Sequence, residues 1–221
     1  RNRALPESCP GWGRYTEPPA GYSVGVVSAD AATQPEAAPV AAMQAVRERT
    51  LGLTGHLAAR DLERVIDPLM SPLVWDLAHI AAYEDLWVGH RLGGLELLRP
   101  DLAAMYDAFE TPRAVRGELP LLDTAGALDY LAAVRERSEA VAAADPVSET
   151  IELVLRHELQ HTETMRQAMA LGGLLPTGDG PAAGTGGDIE DRVAVRGGTV
   201  PTGAADSGFS YDNERPRHHR P

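Results

Sequence analysis

Ser71-Pro72-Leu73-Val74-Trp75-Asp76-Leu77-Ala78-His79-Ile80-Ala81-Ala82-Tyr83-Glu84-Asp85-Leu86-Trp87 is the stretch that decides the fold. Ser71 is placed to cap a helix, with Pro72 at its first position, where a fixed φ and a missing N–H do no harm. Trp75, His79 and Tyr83 then recur every four residues and share one helical face, so His79 points inward with the large aromatics. A second run, Arg156-His157-Glu158-Leu159-Gln160-His161-Thr162-Glu163, sets two more histidines four apart. Ile151, Val154 and Leu155 before it, with Met165, Ala168 and Met169 after it, carry the helical period. Two imidazoles one turn apart can hold a single metal ion if a third ligand arrives from elsewhere. His79, central in its helix, is the candidate for that third corner.

Around these two helices the pattern supplies two more. Met43, Val46, Thr50, Leu53 and Leu57 recur at helical spacing after Pro39. Thr124 can cap a helix reaching Ala144, with Leu128, Leu131 and Val134 as its apolar side, and Asp145-Pro146 ends it. Ser148 can cap the histidine helix, and Gly172-Gly173 stops it. Four such helices joined by loops predict a mainly α protein, a four-helix bundle over residues 39–176. The segment between Leu92 and Leu122, punctuated by Pro100, Pro112 and Pro120, is irregular and long for a bundle connection, and long loops more often carry function.

The ends differ in composition. Residues 1–38, rich in Pro, Gly, Ala and Ser, predict a disordered N-terminal segment. Their opening lacks an initiator Met and the apolar run of a secretion signal, so a fragment boundary or a misread start is expected. Residues 177–191 form a Gly/Pro-rich linker. From residue 192 the period changes to two: Val193 and Val195 alternate with polar residues, Gly197-Gly198 turns, and Val200 and Phe209-Ser210-Tyr211 predict short strands. Thirty residues cannot close a core, so 192–221 is expected to be the incomplete start of a second, irregular α+β domain.

Of the 221 residues, 43% are hydrophobic, enough for one sizeable core, and the net charge of -12 leaves no basic stripe for nucleic acid. No apolar run approaches the roughly twenty residues that span a bilayer. The lone Cys9 excludes a disulfide scaffold, and a cytoplasmic protein is the default expectation. His56 and His90 lie near helix ends, where a solvent-facing histidine is the simpler account.

Several chemistries compete for the three histidines. His157-Glu158-Leu159-Gln160-His161 also satisfies H-E-x-x-H, in which the glutamate would be the general base of a zinc protease. That site needs a further downstream ligand, and past His161 the chain runs into glycines. Imidazoles suit iron, zinc, nickel and copper alike, so ligand type does not choose the metal. Arg113 and Arg116, three apart in the long loop, can clamp a carboxylate or be ordinary surface arginines. A metal-free bundle acting only as a binding module is the plainest alternative.

The motifs also resemble a known family, the sulfoxide synthases of ergothioneine biosynthesis. The resemblance rests on Ser71 to Ile80, on Tyr106-Asp107-Ala108-Phe109, on Pro112-Arg113-Ala114-Val115-Arg116-Gly117-Glu118-Leu119-Pro120-Leu121-Leu122, and on His157, His161 and Glu163 as H-x3-H-x-E. It extends to Arg196-Gly197-Gly198-Thr199-Val200-Pro201-Thr202-Gly203 and Phe209 to Pro216. It implies a DinB-like four-helix bundle followed by the beginning of a domain similar to formylglycine-generating enzyme and C-type lectins. It implies Fe(2+) held by His79, His157 and His161, with Gln160 beside N-α-trimethylhistidine (hercynine) and Arg113 and Arg116 on the carboxylates of γ-glutamylcysteine or cysteine. The implied reaction uses dioxygen to join the thiol sulfur to the imidazole carbon as a sulfoxide; a monomer is the default expectation, and composition argues against nucleic-acid and membrane partners. The family's catalytic tyrosine would lie beyond residue 221, so this piece alone is expected to be inactive. Related readings are an ovothiol- or selenoneine-type synthase and a DinB-like metal-dependent thiol transferase.

Overall fold

The computed structural model describes residues 38–145, 148–176, 197–206 and 208–220. They fall into two compact units, the first ending at Leu175 and the second beginning at Pro176. The disordered segment expected at 1–38, the linker at 177–191 and the strand expected around Val193 and Val195 lie almost wholly outside the described residues.

The first unit is a helical bundle. Its long helices are α1 (Ala38–Thr54), α3 (Leu73–Glu84), α4 (Thr124–Ala144) and α5 (Glu149–Leu171), with a short α2 (Ala59–Glu63) leading into α3. Helix α3 is the centrepiece, buried at every position but Tyr83. A helix apolar on nearly all sides must be enclosed. Leu73, Trp75, Leu77 and Ile80 meet Leu131 and Val134 of α4 and Met165 and Met169 of α5 in one core. Each such fully buried aliphatic side chain stabilises the fold by about 1.5–3 kcal/mol. A second cluster joins Met43 of α1, Ala142 of α4, and Ile151 and Leu155 of α5 at another level of the bundle.

Local signals placed the helices well and their caps less well. Ser148 does cap α5, its hydroxyl accepting from Thr150 N, and Gly173 at φ 65 follows the last turn. Ser71 is not a cap: α3 starts at Leu73 without a side-chain cap, and the Ser71 hydroxyl accepts from Arg116 instead. A buried guanidinium competes successfully for that oxygen. Thr124 is likewise the first helical residue, while Asp123 caps α4 by accepting from Gly126 N at 2.8 Å. The Thr124 hydroxyl is taken by Glu63. The buried positions of α1 are Met43, Arg47, Thr50 and Thr54, with Val46 and Leu53 partly buried against the two apolar clusters. Leu128 is exposed, and Ala127 and Tyr130 take its place on the inner side of α4.

Helix α3 is α-helical as far as Glu84. It continues as a π-helical stretch, Asp85–Leu92, with Gly93 N reaching back to Val88 O and Gly94 ending it at φ 66. The Asp85 carboxylate pins the following chain by accepting from Leu98 N and Arg137. Beyond it the segment to Leu122 is irregular as expected, apart from a 3₁₀ turn at Arg113–Glu118.

The second unit contains β1 (Val200–Thr202) paired antiparallel with β2 (His218–Arg220), Pro201 opposite His219. Phe209-Ser210-Tyr211 is not a strand. Its two aromatics pack edge to face and the chain turns at Asp212–Glu214, with Glu214 accepting from Tyr211 N. The strand expected there is formed instead by His218–Arg220. Among the described residues no helix is long and apolar enough to cross a membrane.

Candidate metal centre

His79 of α3 and His157 and His161 of α5 converge, one ring nitrogen from each lying within 4.8 Å of the others. The Nε2 atoms of His79 and His157 are 3.1 Å apart. Two nitrogens bonded at right angles to one ion at about 2.1 Å would be about 3 Å apart. The spacing of that pair therefore suits two cis positions on a common metal.

The rings are aimed by what their other nitrogens touch. His79 Nδ1 lies 2.6 Å from the Tyr106 carbonyl oxygen, which can only accept, so the proton sits on Nδ1 and Nε2 presents a lone pair. His161 Nδ1 is 2.9 Å from Asp76 Oδ1, and the same logic bares its Nε2. His157 differs. Its Nδ1 is buried with no hydrogen-bond partner, and its ring is held by the face of Tyr83, stacked at 3.7 Å. A buried orphan nitrogen is costly unless something compensates it. Without a cation, a proton on His157 Nε2 bridges to His79; metal at Nε2 would leave that proton on Nδ1.

Burial, and then the neighbouring His161, push the His79 pKa down to about 3. Burial and the two other imidazoles also hold His157 well below its ordinary range. Both rings are neutral at physiological pH, the state in which imidazole ligates. The site thus offers three imidazole nitrogen donors, two of them with their rings aimed by an acceptor at Nδ1. That set fits a divalent transition metal and leaves coordination positions open for small molecules.

This geometry can be set beside known proteins. A model of the DinB superfamily matches residues 42–165, more than half of the chain. The chain belongs to the DinB superfamily. Within it, the chain is 44% identical over 185 residues to the hercynine oxygenase of Mycolicibacterium smegmatis, an alignment covering 78% of this chain and 42% of that protein. It is 44% identical over 186 residues to the hercynine oxygenase of Mycobacterium tuberculosis, covering 78% and 43%. The chain therefore spans about two fifths of the length of the curated relatives it matches.

The remaining sequence-predicted residues occupy distinct places in this DinB bundle. Arg113 and Arg116 share the 3₁₀ turn but not an environment. Arg113 is exposed, with a long contact of 3.4 Å to Leu69 O. Arg116 is buried, donating to Thr111 O, the Ser71 hydroxyl and Ala108 O, with its guanidinium 3.5 Å from the Trp75 ring centre. Trp75 in turn stacks on His79 at 4.6 Å, so Arg116, Trp75 and His79 form one layered column. Gln160 is exposed on α5, one residue before His161. His56 and His90 are exposed and bonded to the carbonyls of Leu174 and Leu95, apart from the cluster.

Glu158 overturns the protease reading. It is fully buried and bonded to Arg47, Arg135 and Thr50, and these partners occupy the carboxylate a general base would need. Three positioning groups escaped the sequence reasoning: Asp76, the Tyr106 carbonyl and the Tyr83 ring. Asp76 left a faint signal, a carboxylate three residues before His79 in an otherwise apolar run. A backbone carbonyl leaves none.

Proposed function

We propose that this chain is the metal-binding helical part of a non-haem iron enzyme that forms a carbon–sulfur bond between hercynine and γ-glutamylcysteine or cysteine, using dioxygen and giving a sulfoxide. The observation that carries the reading is the convergence of His79, His157 and His161 in a chain 44% identical to hercynine oxygenases. In this reading the three histidines hold Fe(2+), which when bound supplies the one-electron redox chemistry that dioxygen requires and zinc lacks.

The protein's own residues bind and orient. The Tyr106 carbonyl and Asp76 hold protons at Nδ1 of His79 and His161, keeping both Nε2 atoms available. Trp75 and Tyr83 wall the imidazoles and exclude water from them. Arg113, exposed and lightly held, turns onto a carboxylate of the thiol substrate. Arg116, which must exchange one carbonyl partner to do the same, completes the pair while its stack on Trp75 keeps its place. Gln160, adjacent to His161 on the open side of α5, lies beside hercynine. In this reading residues 192–221 begin a second domain of the longer enzyme. Holding the two substrates together in one site would convert their encounter into an intramolecular event.

The test begins with the chain loaded anaerobically with ferrous iron. One equivalent should bind, and hercynine should change the electron paramagnetic resonance of the ferrous nitrosyl adduct. The longer protein containing this chain should then make a sulfoxide from hercynine, a thiol and oxygen, read by mass spectrometry. In that protein Arg113→Ala should raise the thiol KM at least tenfold with little change for hercynine. Full iron loading with no response to hercynine and no sulfoxide would overturn the proposal.

A further inference from the structure

On a strip of α5 adjoining the metal centre lies a second buried polar cluster, built from one charge on each long helix. Arg47 comes from α1, Glu84 from the end of α3, Arg135 from α4 and Glu158 from α5, and none is more than 6% exposed. Two cations and two anions sum to zero. Arg47 reaches Glu158 at 2.8 Å and Glu84 at 2.9 Å; Arg135 reaches Glu158 at 2.6 Å and Glu84 at 2.9 Å. Each guanidinium therefore bridges both carboxylates. Surplus donors are absorbed by backbone oxygens, Arg47 bonding Leu131 O and Arg135 bonding Met43 O, and Thr50 donates to Glu158 at 2.7 Å.

The two carboxylates sit on the two helices that carry the histidines. Glu158 follows His157 directly, and Glu84 lies five residues beyond His79. Successive side chains on a helix diverge by about 100°, so fixing Glu158 toward α1 and α4 fixes His157 and His161 toward α3. Apolar packing around α5 is non-directional and tolerates small rotations and slips. The planar fork of a guanidinium between two carboxylates does not. Nor does stability explain the cluster: buried ion pairs are often no more stabilising than apolar groups of the same volume, and their best-attested use is fixing register.

We infer that the Arg47–Glu84–Arg135–Glu158 quartet sets the rotation and height of α5 against α3, so that the three imidazoles converge before metal arrives, with Glu158 as the positioning residue between the two ligands. The inference rests on the metal-centre reading of the three histidines and adds the device that aligns them.

The experiment uses the whole 221-residue chain with Co(II) as the probe, read by anaerobic visible-absorption titration beside thermal melts. Glu158→Gln keeps the shape and removes a charge. Arg47→Lys keeps the charge and removes the fork. Ile151→Ala, which opens a cavity in the second apolar cluster near the start of α5, is the control for lost stability alone. Both quartet variants should weaken Co(II) binding at least tenfold and alter the position or intensity of the bands. Ile151→Ala should lower the melting temperature and leave affinity and bands unchanged. A folded quartet variant with wild-type affinity and spectrum overturns the inference, as does an equal loss of affinity in Ile151→Ala. If Glu158→Gln does not fold, Arg47→Lys decides. Loss of folding in both would make the quartet a determinant of the fold rather than of site geometry, and overturns it too. A wild-type chain that takes up no Co(II) fails one step earlier, at the metal centre itself.

Discussion

Two adjoining strips of α5 carry two buried polar clusters, solved in opposite ways. On one, Arg47, Arg135, Glu84 and Glu158 close on each other, each carboxylate meeting both guanidiniums. On the other, three imidazoles converge on a shared point, and His157 Nδ1 has no hydrogen-bond partner. The first cluster needs nothing further. The second brings three ring nitrogens together at a spacing that suits a metal cation. Polar burial in this bundle thus serves alignment in one place and ligand capture in the other.

Removing an imidazole should separate the clusters most sharply. His79→Ala should cut metal affinity at least a hundredfold in an anaerobic iron titration, whereas His90→Ala, at an exposed ring, should change it less than twofold. Equal effects from the two would break the contrast drawn here. Next comes the group behind a ligand: Asp76→Ala removes the acceptor for His161 Nδ1 and should weaken metal binding about 10–100-fold. An unchanged affinity would show that Asp76 does not orient the ring.

Acid provides a third, smaller test on metal-free protein. His79 and His157 stay neutral in the fold, while the unfolded chain protonates them near their ordinary 6.5. Below that pH the unfolded state binds more protons, so stability must fall as pH drops from about 6.5 toward 4.5. Urea midpoints should decline over that window in the wild type and decline less in His79→Ala. A flat wild-type profile would mean the rings charge freely in the fold. The smallest effect is expected from Tyr83→Leu, which removes the stack on His157 and should cost about 1 kcal/mol of stability, read as a modest shift of the denaturation midpoint. No shift would leave His157 held by α5 alone.

Much of this was legible in the residues. The 3.6-residue period marks α1, α3, α4 and α5, and the four-residue spacing of His157 and His161 guarantees a shared face in any helix. The errors have local causes. Ser71 and Thr124 carry capping oxygens, yet each was claimed by a distant partner, Arg116 in one case and Glu63 in the other. Phe209 to Tyr211 has strand-like composition, but its aromatics found each other and a turn followed. Glu158 completes a protease motif in sequence and points into the ionic cluster in space.

By itself the sequence determined the helical periods, the ligand pair on α5 and the inward aim of His79, because each depends on neighbours within one or two turns. Only the tertiary structure decided that His79 meets that pair, that Tyr106 and Asp76 aim two of the rings, and that Arg47 reaches a carboxylate 111 residues away. Those contacts join chain segments whose separation leaves no periodic trace. They exist because burying a charge or a polar nitrogen is tolerated only where a partner, from whatever distance, is delivered to it.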